Sequence, residues 1–213
     1  MTRCAKVSFW TVLFGLVILP SYPLAASITD MKAAIGKDCE ASGRYTTAMG
    51  VSTKARGESS TATGWNSTAE GDMSVTLGEW AYANGNASIS MGGYTSADGP
   101  YSVAMGLRAK ASGDSSIAMG KDATASGDWS TAMGYKTIAS GEYCIAAGNQ
   151  SLAVGRASIA MGEQVWAWAD NSFAGGQMIW LGSDAKNTFA WGKGGGYTIN
   201  TPNVFLIFPY RVK

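Results

Sequence analysis

The chain has 213 residues, of which 28 are glycine and 15% are charged, and its formal net charge is +1. Near-neutrality argues against nucleic acid as a partner, because binding a phosphate backbone needs a basic patch. The chain contains no histidine, which excludes most zinc sites, Ser-His-Asp triads and histidine general bases. We therefore predict a protein that is not an enzyme and takes no cofactor.

The first 26 residues have the pattern of a secretory signal peptide. Arg3 and Lys6 precede an apolar run over 7–19, and the small residues at 24–27 predict cleavage after Ala26. The run is short for a membrane-spanning helix, so an uncleaved anchor is the alternative. After cleavage, the chain is expected to be secreted or displayed at a bacterial cell surface, on the outer membrane.

From Gly36 to Gly162, nineteen glycines recur at strict seven-residue spacing. Two halves alternate, one reading like 116–120 (SIAMG) and the other like 109–113 (AKASG). A fixed short period is typical of stacked, nearly identical coils. Each half is predicted to be a short strand followed by a bend, where glycine supplies positive φ. We predict an all-β fold, a parallel β-solenoid of about ten 14-residue coils within residues 27–176.

The interior of the predicted coils is lined by small side chains. Alanine recurs every 14 residues from Ala41 to Ala167 without exception, and alanine, serine or threonine fills the equivalent position from Ala48 to Ala174. Side chains alternate along a strand, and a 14-residue coil has no room for anything larger. These columns are therefore predicted to point inward.

The intervening positions point outward, and one outer face carries two apolar columns. An exposed apolar stripe of this length is typical of an interface, so self-association is predicted. The alternative is that the stripe packs against another part of the same chain. The candidate interface residues are Val75, Ile89, Val103, Ile117, Ile145 and Ile159 in one column and Met91, Met105, Met119, Met133 and Met161 in the other. The second face is polar in the early repeats and becomes apolar from Leu152 to Trp168.

Cys39 and Cys144 are the cysteines beyond the predicted signal peptide. Each lies four residues before a bend and is predicted to point inward. About seven coils separate them, or ~34 Å at the spacing of neighbouring strands, whereas a disulfide needs Cα atoms within ~7 Å. We predict that they do not pair and that each replaces a buried serine.

Two further columns follow alternate bends. The acidic one is a candidate for holding a cation or for acid-base chemistry, although acidic residues also simply solvate turns, and we predict no metal site. It comprises Glu58, Asp72, Asp114, Asp128 and Glu142. The aromatic column suits contact with a sugar or a protein, or alternatively shields the coil edges. Its ligand-contact candidates are Tyr45, Tyr101, Trp129 and Tyr143.

The seven-residue register breaks after Gln177. The following apolar segments predict three or four short strands that form a small C-terminal β cap over residues 177–213. Within this segment, the glycine run at 194–196 favours a turn over a phosphate-binding loop.

The alternation of 102–106 (SVAMG) with 109–113 (AKASG) closely resembles the head repeats of YadA-like trimeric autotransporter adhesins, over residues 34–176. The resemblance implies a left-handed parallel β-roll, a homotrimer and an extracellular protein or glycan ligand. Such heads stand on a coiled-coil stalk above an outer-membrane anchor. Because no heptad stalk or anchor strands follow here, membrane association is expected only through a missing or separate anchor.

We interpret the chain as an exported, non-enzymatic adhesin-type head that presents a rigid trimeric surface to host, matrix or cell-surface ligands. The alternative is a structural spacer or fibre module in a surface or tail-fibre-like assembly. An ice-binding solenoid would need a flat array of outward threonines. A polysaccharide-cleaving β-helix would need longer coils with room for larger interior side chains.

Overall fold

The computed structural model describes residues 31–196 and 198–208. The predicted signal peptide lies outside the described residues. Within the described ranges the regular elements are all β-strands, and they alternate between two parallel sheets. Each coil contributes one strand to each sheet, which confirms the predicted solenoid.

The first sheet has 13 strands and is called the long-strand sheet. Its strands, in spatial order, are β1 (Lys32–Lys37), β3 (Thr46–Val51), β5 (Thr61–Trp65), β7 (Val75–Glu79), β9 (Ile89–Gly93), β11 (Val103–Leu107), β13 (Ile117–Lys121), β15 (Thr131–Tyr135), β17 (Ile145–Asn149), β19 (Ile159–Glu163), β21 (Phe173–Gln177), β23 (Phe189–Lys193) and β25 (Phe205–Phe208).

The second sheet has 12 strands of two residues each and is called the short-strand sheet. Its strands are β2 (Glu40–Ala41), β4 (Lys54–Ala55), β6 (Thr68–Ala69), β8 (Tyr82–Ala83), β10 (Ser96–Ala97), β12 (Lys110–Ala111), β14 (Thr124–Ala125), β16 (Ile138–Ala139), β18 (Leu152–Ala153), β20 (Trp166–Ala167), β22 (Trp180–Leu181) and β24 (Thr198–Ile199).

Neighbouring coils pair in register, so that each side chain lies above its equivalent 14 residues away. In the middle of the rod, Ala118 pairs with Ala132 and Met119 with Met133. The corners are bonded as well, since the amide of Trp129 donates to the carbonyl of the residue one coil earlier at 2.8 Å. A slip of one residue would turn every alanine outward, which is why the pattern specifies the register so strongly.

The interior is built from the predicted small columns. In one representative coil, Ser116, Ala118, Ala123 and Ala125 are fully buried. Ala41 is only half-buried, because it lies at the N-terminal end of the rod where a single neighbouring strand covers it. The prediction of an alanine, serine and threonine core is confirmed.

The glycines at the two kinds of bend are needed for different reasons. Gly120 has φ +124, whereas Gly127 does not lie in the positive-φ region. At both positions a Cβ would overlap the backbone carbonyl of the glycine on the next coil. The expectation of positive φ at every glycine is therefore wrong for half of them, and close approach between coils is what both halves share. The left-handed conformation occurs two residues later, at Asp122 and Trp129.

The predicted C-terminal cap is instead a continuation of the rod. Strands β22 to β25 extend the two sheets in order, and Phe173 pairs with Phe189, which pairs with Phe205. The coils here are longer, and Ile179 and Leu181 are fully buried inside them. The extra residues make room for larger interior side chains, so the seven-residue pattern is lost while the solenoid continues.

Candidate assembly and ligand-binding surfaces

The predicted interface residues all lie on the outer surface of the long-strand sheet, called here the Ile/Met face. Val103 pairs with Ile117, and Met105 pairs with Met119 on the adjacent strand. These side chains are partly covered by their neighbours in the column but remain open to solvent, as at Val75 (36% exposed) and Met161 (42% exposed). The structure therefore brings the two predicted columns together as one continuous surface.

The Ile/Met face extends further than the repeat pattern indicates. Phe173, Phe189 and Phe205 continue the isoleucine column, with successive ring centroids 4.7 Å apart. Trp191 continues the methionine column and lies over Gly175, where a Cβ would overlap the indole. Sequence analysis missed these residues because longer coils shift them out of the 14-residue register.

The predicted aromatic corner is only partly assembled. Trp129 and Tyr143 stack, with centroids 5.0 Å apart and planes 7° from parallel. Tyr101 is 64% exposed and is separated from Trp129 by the coil that carries Ser115. Tyr45 lies several coils away, with the Arg44 guanidinium 5.6 Å from its ring centroid. The expectation of a single contact surface therefore reduces to the Trp129–Tyr143 pair, with Tyr101 nearby.

A second aromatic cluster, at the opposite corner, was not predicted. The rings of Trp80 and Tyr94 are nearly parallel at 6.2 Å, and Trp65 meets Trp80 edge-on at 6.1 Å. The 14-residue spacing of Trp80 and Tyr94 is a signal that could have revealed the pair. Trp65 belongs to the adjacent column, so its spacing alone would not have revealed it.

The acidic column forms a ladder between side chains and backbone. The amide of Glu58 donates to Asp72 at 2.8 Å, and the amide of Asp114 donates to Asp128 at 2.9 Å. Each carboxylate thus satisfies a corner amide on the coil before it. In the part of the chain that the structure describes, no group of three or more Cys, Asp or Glu side chains is placed to hold a metal ion.

Ion pairs link successive coils on the exposed surface. Arg56 contacts Glu40 at 3.3 Å and Glu70 at 2.7 Å. The hydrogen bond from Arg56 lowers the pKa of Glu40, and the hydrogen bond from Arg108 lowers the pKa of Asp122. Because these pKa values are lower in the folded chain, the pairs stabilise the fold above the unfolded pKa and lose that contribution as the pH falls. Exposure keeps each contribution small.

The cysteines are free and buried, as predicted. Cys39 accepts a hydrogen bond from the Thr53 hydroxyl at 3.2 Å. Cys144 takes the position that serine holds on the two adjacent coils, at Ser130 and Ser158. Burial raises the pKa of the Cys144 thiol to about 11, so it is a neutral packing group at physiological pH.

The outer surface of the short-strand sheet, called the short-strand face, changes character along the rod. Its first half carries paired charges such as Arg56 with Glu70, whereas Ile138, Leu152 and Trp166 succeed one another in the second half. The indoles of Trp166 and Trp180 stack at 4.6 Å. The predicted shift from polar to apolar is present and begins at Ile138.

The repeats match a described sequence family. The profile of the "YadA head domain repeat (2 copies)" matches residues 41–67, 69–95, 83–109, 97–123, 111–137, 125–151 and 153–177. Together these matches span more than half of the chain. The chain belongs to the YadA head-repeat family.

Comparison with solved structures gives a similar chain titled the collagen-binding domain of Yersinia adhesin YadA. It is 16% identical, with 84% of this chain and 74% of that chain covered and a TM-score of 0.34. Comparison with curated proteins gives no significant match.

Membership of the YadA head-repeat family makes this an adhesin-type head domain built as a repetitive β-roll. Among the described residues, no helix is long and apolar enough to span a lipid bilayer. The surfaces of this YadA-type head are therefore the Ile/Met face, the short-strand face and the two aromatic corners.

Proposed function

We propose that this chain is an exported, non-enzymatic adhesin head that assembles as a homotrimer through its Ile/Met face and binds an extracellular protein or glycan. The observation that carries the proposal is the continuous apolar face on the outside of a coil whose interior is alanine and serine. Burying an exposed isoleucine or methionine adds ~1.5–3 kcal/mol. Such an interface supplies the stabilisation that small interior side chains do not.

Cyclic closure suits the shape of this face. A rotation axis parallel to the rod keeps every coil at its own height, so equivalent strands of the copies meet along the whole length. A closed ring also leaves no unpaired apolar patch to drive fibre growth. Three copies, each turning its Ile/Met face inward, would leave the short-strand faces and corners outward.

For the ligand surface we propose the aromatic corner of Tyr45, Tyr101, Trp129 and Tyr143. Trp129 and Tyr143 support this best, because their stacked rings form a rigid exposed surface. A spacer or fibre module is the second candidate, favoured by the regular bonding of every corner to the next coil. In either role the chain is proposed to act outside the cell or at its surface.

The trimer is tested by placing charge in the proposed interface. We expect the variant Ile117→Asp/Met119→Asp to sediment as monomer or unfolded chain, because unpaired buried charge is costly. The matched control is Thr124→Asp/Ser126→Asp, which puts the same charges on the short-strand face of the same coil. A trimeric Ile117→Asp/Met119→Asp variant, or dissociation of both variants alike, would contradict the assignment.

A further inference from the structure

A groove of ≈ 330 Å³ lies on the C-terminal half of the short-strand face. Its floor is one column of the sheet, in which Ile138, Leu152, Trp166 and Trp180 lie on consecutive coils. A volume of this size is typical of small-ligand sites, which are mostly apolar with a few placed polar groups. The groove follows the rod axis, so it suits an extended ligand that crosses several coils.

The charge of the groove selects the kind of ligand. From Thr124 to Gly182 the outward positions of the short-strand face carry no charged side chain, whereas the earlier coils carry Arg56, Glu70 and Lys110. Of the residues that line the groove, only Lys136 is charged. A charged polymer would leave most of its charges unpaired on this surface, which is costly. An uncharged partner meets no such cost.

The polar groups at the groove are hydrogen-bonding groups. The amide nitrogen of Gln164 donates to the amide oxygen of Gln150 at 3.3 Å, which leaves the other atom of each amide for a ligand. The indole nitrogen of Trp180 donates to the Gln164 carbonyl at 3.0 Å. The indole nitrogen of Trp166 has no acceptor among the described residues. Donors, acceptors and indole rings therefore repeat along the groove from coil to coil.

We propose that this groove binds a neutral glycan chain that lies along the rod axis. A pyranose ring has an apolar C–H surface and a rim of hydroxyl groups, which match the indole floor and the glutamine amides. The proposal rests on the adhesin function and names a ligand class and a site for it. Because the short-strand sheet and the long-strand sheet face opposite ways across the interior, a trimer closed on the Ile/Met face leaves this groove open.

The test is a calorimetric titration of the purified full chain with maltohexaose, cellohexaose and mannohexaose, and with a hexamer of galacturonic acid as the charged comparator. We expect saturable binding of at least one neutral hexasaccharide and weaker binding of the acidic one. Trp166→Ala should weaken the neutral complex about tenfold or more, since a buried aromatic anchor dominates such contacts. The matched control is Tyr82→Ala, which removes an aromatic ring from the same column in the charged half.

Several outcomes would overturn the groove assignment. These are no binding of any neutral hexasaccharide, tighter binding of the acidic hexamer, or equal losses for Trp166→Ala and Tyr82→Ala. Self-association of trimers that Trp166→Ala abolishes would show that a second copy occupies the groove instead. Sedimentation of the same samples separates the two proposals. A monomer that binds glycan refutes only the trimer, and a trimer that binds none refutes only the groove.

Discussion

At the scale of single residues, the corner positions show how backbone conformation selects side chains. The residues two places after each glycine, such as Asp122 and Trp129, have φ between +51 and +59. No valine, isoleucine or threonine stands at these positions, because β-branched side chains clash in the left-handed region. Unbranched large side chains are tolerated there. Tyrosine and tryptophan can thus occupy a corner and project from the rod.

Cys144 provides a prediction at this scale. We expect iodoacetamide at pH 8 to leave Cys144 unmodified in the folded chain, because the thiol is buried and its pKa is raised to about 11. Mass spectrometry after denaturation in guanidinium should show full modification. An introduced Ser126→Cys thiol on the exposed face serves as the reactive control. Equal rates of modification for Cys144 and the control in the native protein would contradict the inward placement.

At the scale of elements, the unit of stability is the contact between one coil and the next. Backbone ladders join the strands, and corner amides reach back across the gap, for example from Trp129 to Asp114. The carboxylate of Asp128 accepts a further amide from Asp114 at 2.9 Å. Aromatic stacking at the corner adds a contact of ~0.5–1.5 kcal/mol. The corner columns therefore combine a structural role with an exposed surface.

The aromatic corner is tested by replacing Tyr101, Trp129 and Tyr143 together with serine. Serine already occupies this corner at Ser59 and Ser115, with the same positive φ, so the backbone accepts it. We expect binding to arrays of matrix proteins and glycans to fall about tenfold or more, while the melting temperature drops by only a few degrees, about the effect of one lost stack. The comparison variant is Trp80→Ser/Tyr94→Ser at the opposite corner. Full binding without the three rings would place the ligand elsewhere.

At the scale of the whole molecule, the rod has a small-residue interior and an apolar exterior stripe. Folding of the isolated chain orders every residue at ~1–2 kcal/mol for the backbone, while the interior buries mainly alanine, serine and threonine. Large apolar side chains lie instead on the Ile/Met face. Stability of the fold is therefore expected to depend on association.

This dependence predicts a melting temperature that rises with protein concentration, because mass action favours the assembled state. Calorimetry over a wide concentration range should show the shift for the native chain. The charged control Thr124→Asp/Ser126→Asp should show the same shift, and Ile117→Asp/Met119→Asp should show none. A midpoint independent of concentration in the native chain would indicate that one copy is stable alone.

Much of this architecture follows from the sequence alone. The recurrence of Ala111, Ala125 and Ala139 at a fixed interval determined the coil length, the pairing register and the inward columns. The same alternation determined that Ile117 and Met119 point outward. A repeated pattern carries this much information because each coil is the template for the next, so local spacing and long-range pairing are the same quantity.

Only the tertiary structure decided what happens where spacing changes. It showed that Phe189 and Phe205 continue the Ile/Met face through longer coils, and that Trp129 stacks on Tyr143 while Tyr45 stands apart. It also placed Trp166 and Trp180 on the floor of a groove. Insertions at corners change residue numbers without changing coil height. For that reason, which side chains meet depends on the path of the backbone in space and not on their interval in the sequence.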